Sequence, residues 1–449
     1  MSTIEKHDMT QGKILLPLVS FTIPLVLGNL FQLTYNAADS VIVGKYVGEQ
    51  ALAAVGTSTP IMNIAILLIS GMCMGASVLM SSQYGAKDYD TLSRQISTTM
   101  LAGCGFSVVF SLLMLLLVNP VLRLIRVPET AIPEAAAYLR IIFMGLIFTF
   151  MYNFLANTMR ALGDSKTPLY FLVTSAFLNI FGDLFFVVVL RWGVAGSAIA
   201  TVCSEGLCCL LCGIYIKKKI PLLCLGKKWW VFDKSLLGKT VSYGSTSAMQ
   251  QVCLQLGKLI IQSVVNTQGV AVMAAFTAVN RVDDFAYTPQ QNIGHAMTTF
   301  LAQNKGAGHK ERMKKGFQTG LLIELVYSIG LFCVIWGLAP QIMTLFAEDG
   351  DAQVVSLGIS YLHLISWMYI LPGLTNGVQG FFRGIGDLKV TLYSTFMNMF
   401  GRVVAVFVMI RLLQMEFASL AWANMVGWIV MLLFEVPLLV KSMRNGECG

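Results

Sequence analysis

Hydrophobic positions along this chain fall into runs of about 20 residues, separated by short segments that carry Gly, Pro or charged side chains. A run of that length, folded as an α-helix, crosses the roughly 30 Å hydrocarbon layer of a membrane. The pattern predicts an all-α, polytopic membrane protein with twelve transmembrane helices. Their approximate ranges are 14–43, 54–80, 96–118, 136–158, 168–190, 195–216, 241–265, 272–300, 317–338, 355–378, 390–412 and 418–440.

The composition agrees with this interpretation. Of the 449 residues, 56% are hydrophobic and 12% are charged, whereas roughly 25% of the residues in soluble domains are charged. A water-soluble enzyme is therefore excluded. The sequence also contains no H-E-x-x-H, no G-x-x-x-x-G-K-[ST] and no strand-flanked G-x-G-x-x-G. We expect no enzymatic activity, no cofactor, and energy from an ion gradient instead of ATP.

The positions of Lys and Arg predict the topology. An even number of helices places both termini on one side, and most basic residues fall in the tails and loops of that side. Because basic residues concentrate on the cytoplasmic side, we predict a multi-pass protein of the inner cell membrane with both termini in the cytoplasm. This bias also accounts for the net charge of +8, so no nucleic-acid partner is expected.

An internal repeat divides the chain into two similar halves with a period of about 220 residues. It predicts a six-helix N-terminal lobe (1–216), a cytoplasmic loop (217–240) and a six-helix C-terminal lobe (241–449). Six is even, so the lobes share one orientation and a pseudo-twofold axis along the membrane normal, as in transporters that rock one half against the other. The echoed segments include Gly163-Asp164 with Gly386-Asp387, and Asn179-Ile180-Phe181-Gly182 with Asn398-Met399-Phe400-Gly401.

Polar side chains inside the N-terminal lobe recur at helical spacing, so that each helix carries one polar stripe. Such stripes are satisfied in a membrane only by facing one another. We therefore predict a hydrated polar cavity in this lobe. The stripes are Gln32, Tyr35, Asn36 and Asp39; Thr149, Asn153 and Asn157; Asn179 and Asp183; and Ser197, Thr201 and Glu205.

Asp39 and Asp183 are the key pair in this cavity. Two carboxylates in a low-dielectric site do not both stay ionised cheaply, so we expect them to share a proton or to bind a cation through oxygen ligands. In the alternative, each Asp caps a helix end or pairs with a structural Arg.

The C-terminal lobe differs from its copy. Asp183 aligns with Arg402, and Asp39 falls opposite an apolar position, so the acidic pair is not duplicated. Asp283 or Asp284 is predicted either to neutralise Lys258 or Arg281 in a structural salt bridge or to contact substrate. Glu324 and Glu435 are isolated acidic residues, for which we expect interhelical hydrogen bonds.

The chain resembles the multidrug and toxic compound extrusion (MATE) family. The resemblance rests on Pro24, Asp39, Gly44, Gly48, Ala51-Leu52-Ala53-Ala54, Arg160-Ala161-Leu162-Gly163-Asp164-Ser165-Lys166, Asn179-Ile180-Phe181-Gly182-Asp183 and Gln303-Asn304 with Gly306-Ala307. It implies a secondary antiporter that expels organic, often cationic and amphipathic compounds in exchange for Na+ or H+.

The same resemblance implies the coupling residues. They are Asp39, Asn179, Asp183 and Thr201, which are also the only residues expected to hold a metal ion, as Na+. Two departures stand out: Glu205 replaces the Gln of many members, and helix 7 carries Gln250 and Gln251 where some branches have a functional Glu. The second departure argues against an ion site in the C-terminal lobe.

Our interpretation is a monomeric, cation-coupled exporter of small organic compounds that works by alternating access. Ion binding from outside is expected to bend helix 1 at Pro24 and to displace the substrate. The alternative is a flippase for a lipid-linked saccharide, which Lys258, Arg281 and Arg402 keep open. The residues predicted to line the substrate cavity are Gln32, Tyr35, Asn36, Asn153, Asn157, Glu205, Asp283, Asp284 and Tyr287.

Overall fold

The computed structural model describes residues 8–125, 127–129, 131–220, 230–346, 352–413, 417 and 419–444. Within these residues the chain is helical and contains no strand. The helices are α1 (Leu15–Tyr46), α2 (Glu49–Gly85), α3 (Tyr89–Leu124), α4 (Ile132–Met144), α5 (Leu146–Ala161), α6 (Lys166–Asp183), α7 (Gly193–Lys219), α8 (Lys234–Val265), α9 (Val270–Gly306), α10 (Lys310–Phe346), α11 (Ala352–Ser366), α12 (Ile370–Ile385), α13 (Leu388–Phe407) and α14 (Ser419–Arg444).

These helices make the twelve predicted spans. In the described part of the chain, nine helical spans are long and apolar enough to cross a membrane, and α4 with α5 forms a tenth that is bent by 47°. The α11–α12 pair counts as one of the nine. The remaining two spans are α8 and α9, which have 32 and 37 residues but more polar side chains. The prediction of an all-α protein with twelve spans is confirmed.

The predicted loop 217–240 is too long at both ends. Helix α7 continues to Lys219, and α8 begins at Lys234. The early start of α8 has a local cause, because the Asp233 carboxylate accepts hydrogen bonds from the backbone N–H groups of Ser235 (2.9 Å) and Leu236 (3.2 Å). An Asp at this position satisfies N–H groups that have no partner within the helix. Residues 221–229 lie outside the described part.

Two compact units divide the chain by contacts. Unit 1 comprises Met1–Asp8 and Ile23–Ala248, and unit 2 comprises Met9–Thr22 and Met249–Gly449. This division differs from the predicted lobe limits, since residues 9–22 group with the second unit and the later boundary falls inside α8. The physical reason for the first difference is a set of hydrogen bonds from Arg312 of α10 to the carbonyl groups of Met9, Gln11 and Gly12.

The echoed Gly-Asp motifs form the same helix-ending turn in each unit. Gly163 and Gly386 have φ values of 90° and 84°, which lie in the left-handed region that favours glycine. Their N–H groups donate to the carbonyls of Arg160 and Arg383, three residues earlier. A side chain with a β-carbon at either position would strain this turn, so the repeat retains glycine for a backbone reason.

Within unit 1, α2 and α8 pack closely through glycine. A β-carbon on Gly71 would lie 2.6 Å from the Cα atom of Ala248, and one on Gly75 would meet the backbone of Tyr243. Small residues of this kind let helix backbones approach in membrane proteins. The approach fixes the first half of α8 against unit 1.

We predict that Gly71→Ala lowers the thermal stability of the purified protein in detergent, because the added methyl group collides with backbone that has no side chain to move. The expected loss is about 1–3 kcal/mol, typical of overpacking. The matched control is Gly105→Ala in α3, where the new methyl meets nothing within 4 Å. Equal melting temperatures for the two variants would contradict the proposed close approach.

Candidate functional site

Helix α7 carries three polar side chains at successive turns, and each contacts a different helix of unit 1. The residues are Ser197, Thr201 and Glu205. Residues four apart lie on one face of a helix. This face is therefore the element around which the polar stripes of unit 1 are arranged.

The three contacts are direct hydrogen bonds. The Ser197 hydroxyl donates to Asp39 Oδ1 of α1 (2.6 Å), and the Asn179 amide of α6 donates to Thr201 Oγ1 (3.2 Å). One turn further, the Thr149 hydroxyl of α5 donates to Glu205 Oε2 (2.5 Å). The stripes on α1, α5 and α6 thus converge on one face of α7.

Close packing of α6 on α7 makes these contacts possible. A β-carbon on Gly182 would lie 2.9 Å from Ala200 Cβ, and one on Gly196 would lie 3.0 Å from the carbonyl carbon of Phe186. Directly after Asp183 the chain continues as a π-helical segment, Leu184–Val189. Such segments are frequent at functional sites because they widen the helix and redirect its side chains.

Three oxygen atoms in this region lack a hydrogen-bond donor among the described residues. They are both carboxyl oxygens of Asp183, whose side chain is fully buried, and Oδ1 of Asn179, which is 3% exposed. The carboxyl groups of Asp39 and Asp183 lie close enough to interact electrostatically. Two neighbouring buried carboxyl groups are stable only when a proton or another cation neutralises part of their charge.

The alternative roles for the acidic pair find no support in the described contacts. The two ion pairs within the described residues are Arg94–Asp233 and Lys258–Asp284, and neither involves Asp39 or Asp183. Asp39 lies within α1, and Asp183, which directly precedes the π-helical segment, makes no capping hydrogen bond with its side chain. The structure thus brings together Asp39, Asn179, Asp183 and Thr201.

Tyr138 of α4 is a neighbour of this site that sequence reasoning missed. Its side chain is 3% exposed and lies close to the titratable groups of Asp39, Asp183, Tyr35 and Glu205. Among the described residues, its hydroxyl donates to a weak acceptor, the sulfur of Met62, at 3.6 Å. No sequence signal marks it, because a single Tyr in an apolar helix is usually a packing residue.

The other residues predicted to line the N-terminal cavity lie on α1 and α5. Gln32 is exposed, Tyr35 is half-buried, and the Asn36 side chain lies outside the described part. The Asn153 and Asn157 amides donate to the carbonyls of Thr149 and Asn153 in their own helix. Their backbone hydrogen bonds orient these two side chains along α5.

Asp284 of unit 2 forms a salt bridge with Lys258, which connects α9 to α8. The distance between Lys258 Nζ and Asp284 Oδ1 is 3.2 Å, and both side chains are about half exposed. Of the two roles predicted for this residue, a structural salt bridge or a substrate contact, the structure contains the salt bridge. An exposed pair of this kind contributes little to stability.

Asp283, the adjacent residue, is buried among tyrosines. It accepts hydrogen bonds from the hydroxyls of Tyr369 (2.5 Å) and Tyr361 (3.0 Å). Tyr287 packs edge-on against Tyr369 and against Trp428, with ring centroids 5.5 and 5.9 Å apart. Asp283 and Tyr287 are therefore members of a packed aromatic cluster in unit 2.

The donor set of the unit 1 site is restricted to oxygen. Within the described residues, no group of three or more His, Cys, Asp or Glu side chains is arranged to hold a metal ion. Carboxyl, amide and hydroxyl oxygens are instead ligands for hard cations such as Na+, and a carboxyl group also accepts a proton. Binding of either Na+ or H+ neutralises negative charge on the carboxyl groups of this site.

Known proteins similar to this chain match it over most of its length. The MatE family model matches residues 24–185 and again residues 247–409. The chain is 32% identical over 392 residues to the probable multidrug resistance protein YpnP of Bacillus subtilis, covering 87% of this chain and 86% of that protein. It is 23% identical over 427 residues to the probable multidrug resistance protein NorM of Thermotoga maritima, covering 92% and 89%.

A solved structure has the same fold. It is described as the outward-facing conformation of a multidrug resistance MATE family transporter of the MOP superfamily. The TM-score is 0.91 at 22% sequence identity, and the match covers 100% of this chain and 99% of that one. The two matches to the MatE model also agree with the internal repeat of about 220 residues predicted from the sequence.

We predict that Ser197→Ala destabilises the protein by about 1–3 kcal/mol, because the buried end of the Asp39 carboxyl loses its donor. The measurement is the melting temperature in detergent. Ser204→Ala is the matched control, since Ser204 lies on the same helix, is 3% exposed and donates only to the Thr201 carbonyl of its own helix in the described contacts. A loss no larger than that of the control would argue against the Ser197–Asp39 bond.

Proposed function

Because the chain belongs to the MatE family, it is a multidrug efflux transporter of the membrane and not an enzyme, and we propose that H+ or Na+ drives it through Asp39, Asn179, Asp183 and Thr201. The exported compounds are small and organic, with cationic or amphipathic character. As further parts of this proposal, the protein is a monomer in the inner cell membrane, and both termini are cytoplasmic.

One observation carries the coupling proposal. The Asp183 carboxyl group is completely buried, and neither of its oxygens has a donor among the described residues; it lies next to the Asn179 oxygen, which likewise has none, and to the Asp39 carboxyl. An ionised carboxylate inside a membrane protein is costly, by at least roughly 2.5–3.5 kcal/mol. A cation from solution removes this cost, so the site binds one readily.

Helix α1 connects the ion to a conformational change. Asp39 lies in its second half, and Pro24 lies inside the helix near its first third. Proline has no N–H and clashes with the preceding turn, so the helix bends easily there. When an ion neutralises Asp39 and Asp183, the polar face of α1 requires less hydration. The equilibrium between the bent and the straight form of α1 then shifts.

Exchange requires that ion and substrate favour different states of the protein. In this proposal the substrate binds when Asp39 and Asp183 are ionised, because a negative cavity attracts organic cations. Glu205, which is half-buried beside Thr149, adds a third carboxyl group. Tyr35 supplies an aromatic face for cation–π and apolar contacts. Ion binding then removes the attraction and the substrate leaves.

The flippase alternative gains no support. A cavity for a lipid-linked saccharide would need free positive charge for its pyrophosphate. Lys258 is paired with Asp284, and the half-buried Arg402 lies near Asp283. Their charge is therefore partly balanced by carboxylates of the same unit.

We predict that Asp39→Asn and Asp183→Asn each reduce gradient-driven export of a fluorescent organic cation at least tenfold. The amide keeps the shape of the side chain but carries no negative charge for the ion. The measurement uses proteoliposomes with an imposed Na+ gradient in one arm and an imposed pH gradient in the other.

Asp88→Asn is the matched control for these variants. Asp88 caps α3 by accepting a hydrogen bond from the Thr91 N–H group (3.1 Å), and Asn caps helices equally well. This variant should export at the rate of the unaltered protein. If both Asp39→Asn and Asp183→Asn export at an undiminished rate under each gradient, the proposal that these residues couple the ion to export is contradicted.

We predict that Glu205→Gln retains export but lowers the number of cations exchanged per substrate. Gln keeps a partner for the Thr149 hydroxyl while removing one carboxyl group. The measurement is the gradient at which net export stops in proteoliposomes, compared with Glu129→Gln in the exposed loop before α4. An unchanged stopping gradient would mean that Glu205 takes no part in the stoichiometry.

A further inference from the structure

Glu324, in the middle of α10, is a buried acidic residue that the proposed mechanism does not use. Its side chain is 1% exposed, and neither carboxyl oxygen has a hydrogen-bond donor among the described residues. The interhelical hydrogen bond expected from the sequence is therefore not formed. A carboxylate in this position needs positive charge from somewhere.

Asp283, Asp284 and Glu435, three other acidic residues in the helices of unit 2, each have a hydrogen-bond donor or a basic group nearby. Asp284 has Lys258, and Asp283 has two tyrosine hydroxyls. Glu435 also lacks a direct donor, but the buried Arg383 guanidinium lies near it. The Glu324 side chain is enclosed by protein, and no basic group lies beside it in the described structure.

Polar groups of α9 and α10, including the Glu324 carboxyl, lie around Gly373 of α12. A β-carbon on Gly373 of α12 would lie 2.9 Å from Ser328 Oγ, 3.2 Å from Gln290 Nε2 and 3.4 Å from Glu324 Oε2. Gln290 and Ser328 are themselves 0% and 3% exposed. The carboxyl group thus belongs to a compact polar cluster of three helices.

The orientation of the Gln290 amide adds a further free oxygen. Its Nε2 donates to the Tyr369 carbonyl (2.8 Å) and to Ser328 Oγ (3.1 Å). A backbone carbonyl only accepts hydrogen bonds, so this contact fixes which end of the amide is nitrogen. Gln290 Oε1 is consequently left without a donor among the described residues.

A break in the helix supplies the backbone oxygen. Between α11 and α12 the chain forms a short 3-10 segment, Trp367–Tyr369, and Pro372 follows within the first turn of α12. The Tyr369 carbonyl accepts hydrogen bonds from both Gln290 and Ser328. Carbonyls at interrupted membrane helices are common ligands for coupling ions in transporters.

The geometry points to a second ion site: we propose that Glu324, Gln290, Ser328 and the Tyr369 carbonyl take up one monovalent cation, H+ or Na+, within unit 2. The available atoms are carboxyl, amide, hydroxyl and carbonyl oxygens, which suit a hard cation. A single carboxylate is neutralised by one unit of charge, whereas a divalent ion would leave a net positive charge buried. The Gln250 side chain is not involved, because it bonds to Gln379 and Thr395.

This proposal differs from the expectation, drawn from the family resemblance, that the C-terminal lobe has no ion site. That expectation came from Gln250 and Gln251 on helix 7, where a carboxylate is missing. The structure contains a buried carboxylate on α10 instead. The proposal concerns ion binding to unit 2 and does not depend on the coupling role of Asp39 and Asp183.

The test uses the full-length protein with Asp39→Asn and Asp183→Asn combined, so that the unit 1 site is removed. Binding of radioactive Na+ to the purified protein tests one ion. Infrared spectroscopy over a pH titration tests the other, since a protonated carboxyl group has its own stretching band. We expect either saturable Na+ binding or a titrating carboxyl band that disappears when Glu324→Gln is added, whereas the bands of other buried carboxyl groups such as Glu205 and Glu435 remain.

Two further variants complete the test. Glu311→Gln lies on the exposed first turn of α10 and should leave the signal unchanged. Glu324→Asp keeps the carboxyl group but shortens the side chain, so it should weaken ion affinity at least tenfold. Because it keeps the charge, this variant should fold even if Glu324→Gln does not. The proposal is overturned if adding Glu324→Gln changes neither the Na+ binding nor the titrating carboxyl bands of the double variant, or if Glu324→Asp leaves both unaltered.

Discussion

A carboxyl group removed from water must find hydrogen-bond donors or positive charge, and this requirement organises both units of the protein. Asp283 finds two tyrosine hydroxyls, and Asp284 finds a lysine. Asp183 and Glu324 find neither among the described residues. The first two residues are satisfied by the protein itself, whereas we propose that an ion from solution completes the last two.

The unit 1 site exists because helices pack closely enough for short side chains to meet. Gly182 and Gly196 allow α6 and α7 to approach, and the Asn179 amide then reaches Thr201. Ser197, one turn earlier on α7, holds the Asp39 carboxyl of α1. Small residues thus set the backbone distance, and that distance determines which polar groups become partners.

The two halves of the repeat are more alike in backbone conformation than in their charged side chains. The left-handed turns at Gly163 and Gly386 are equivalent, and a π-helical segment follows both α6 and α13. Yet Arg402 occupies the position that aligns with Asp183. The same helical architecture therefore presents an acidic pair in unit 1 and a differently placed acidic residue, Glu324, in unit 2.

The sequence alone determined the number of spans, the repeat and the polar face of each helix, because these follow from run length and from the helical period. It also singled out Asp39, Asn179, Asp183 and Thr201. Only the tertiary structure decided that Asp284, not Asp283, pairs with Lys258, that Tyr138 lies beside the acidic pair, and that Glu324 has no donor in the described part of the chain. Helical periodicity fixes the face of one helix, but the rotation and axial position of its neighbours are set by side-chain packing, which a single sequence does not display.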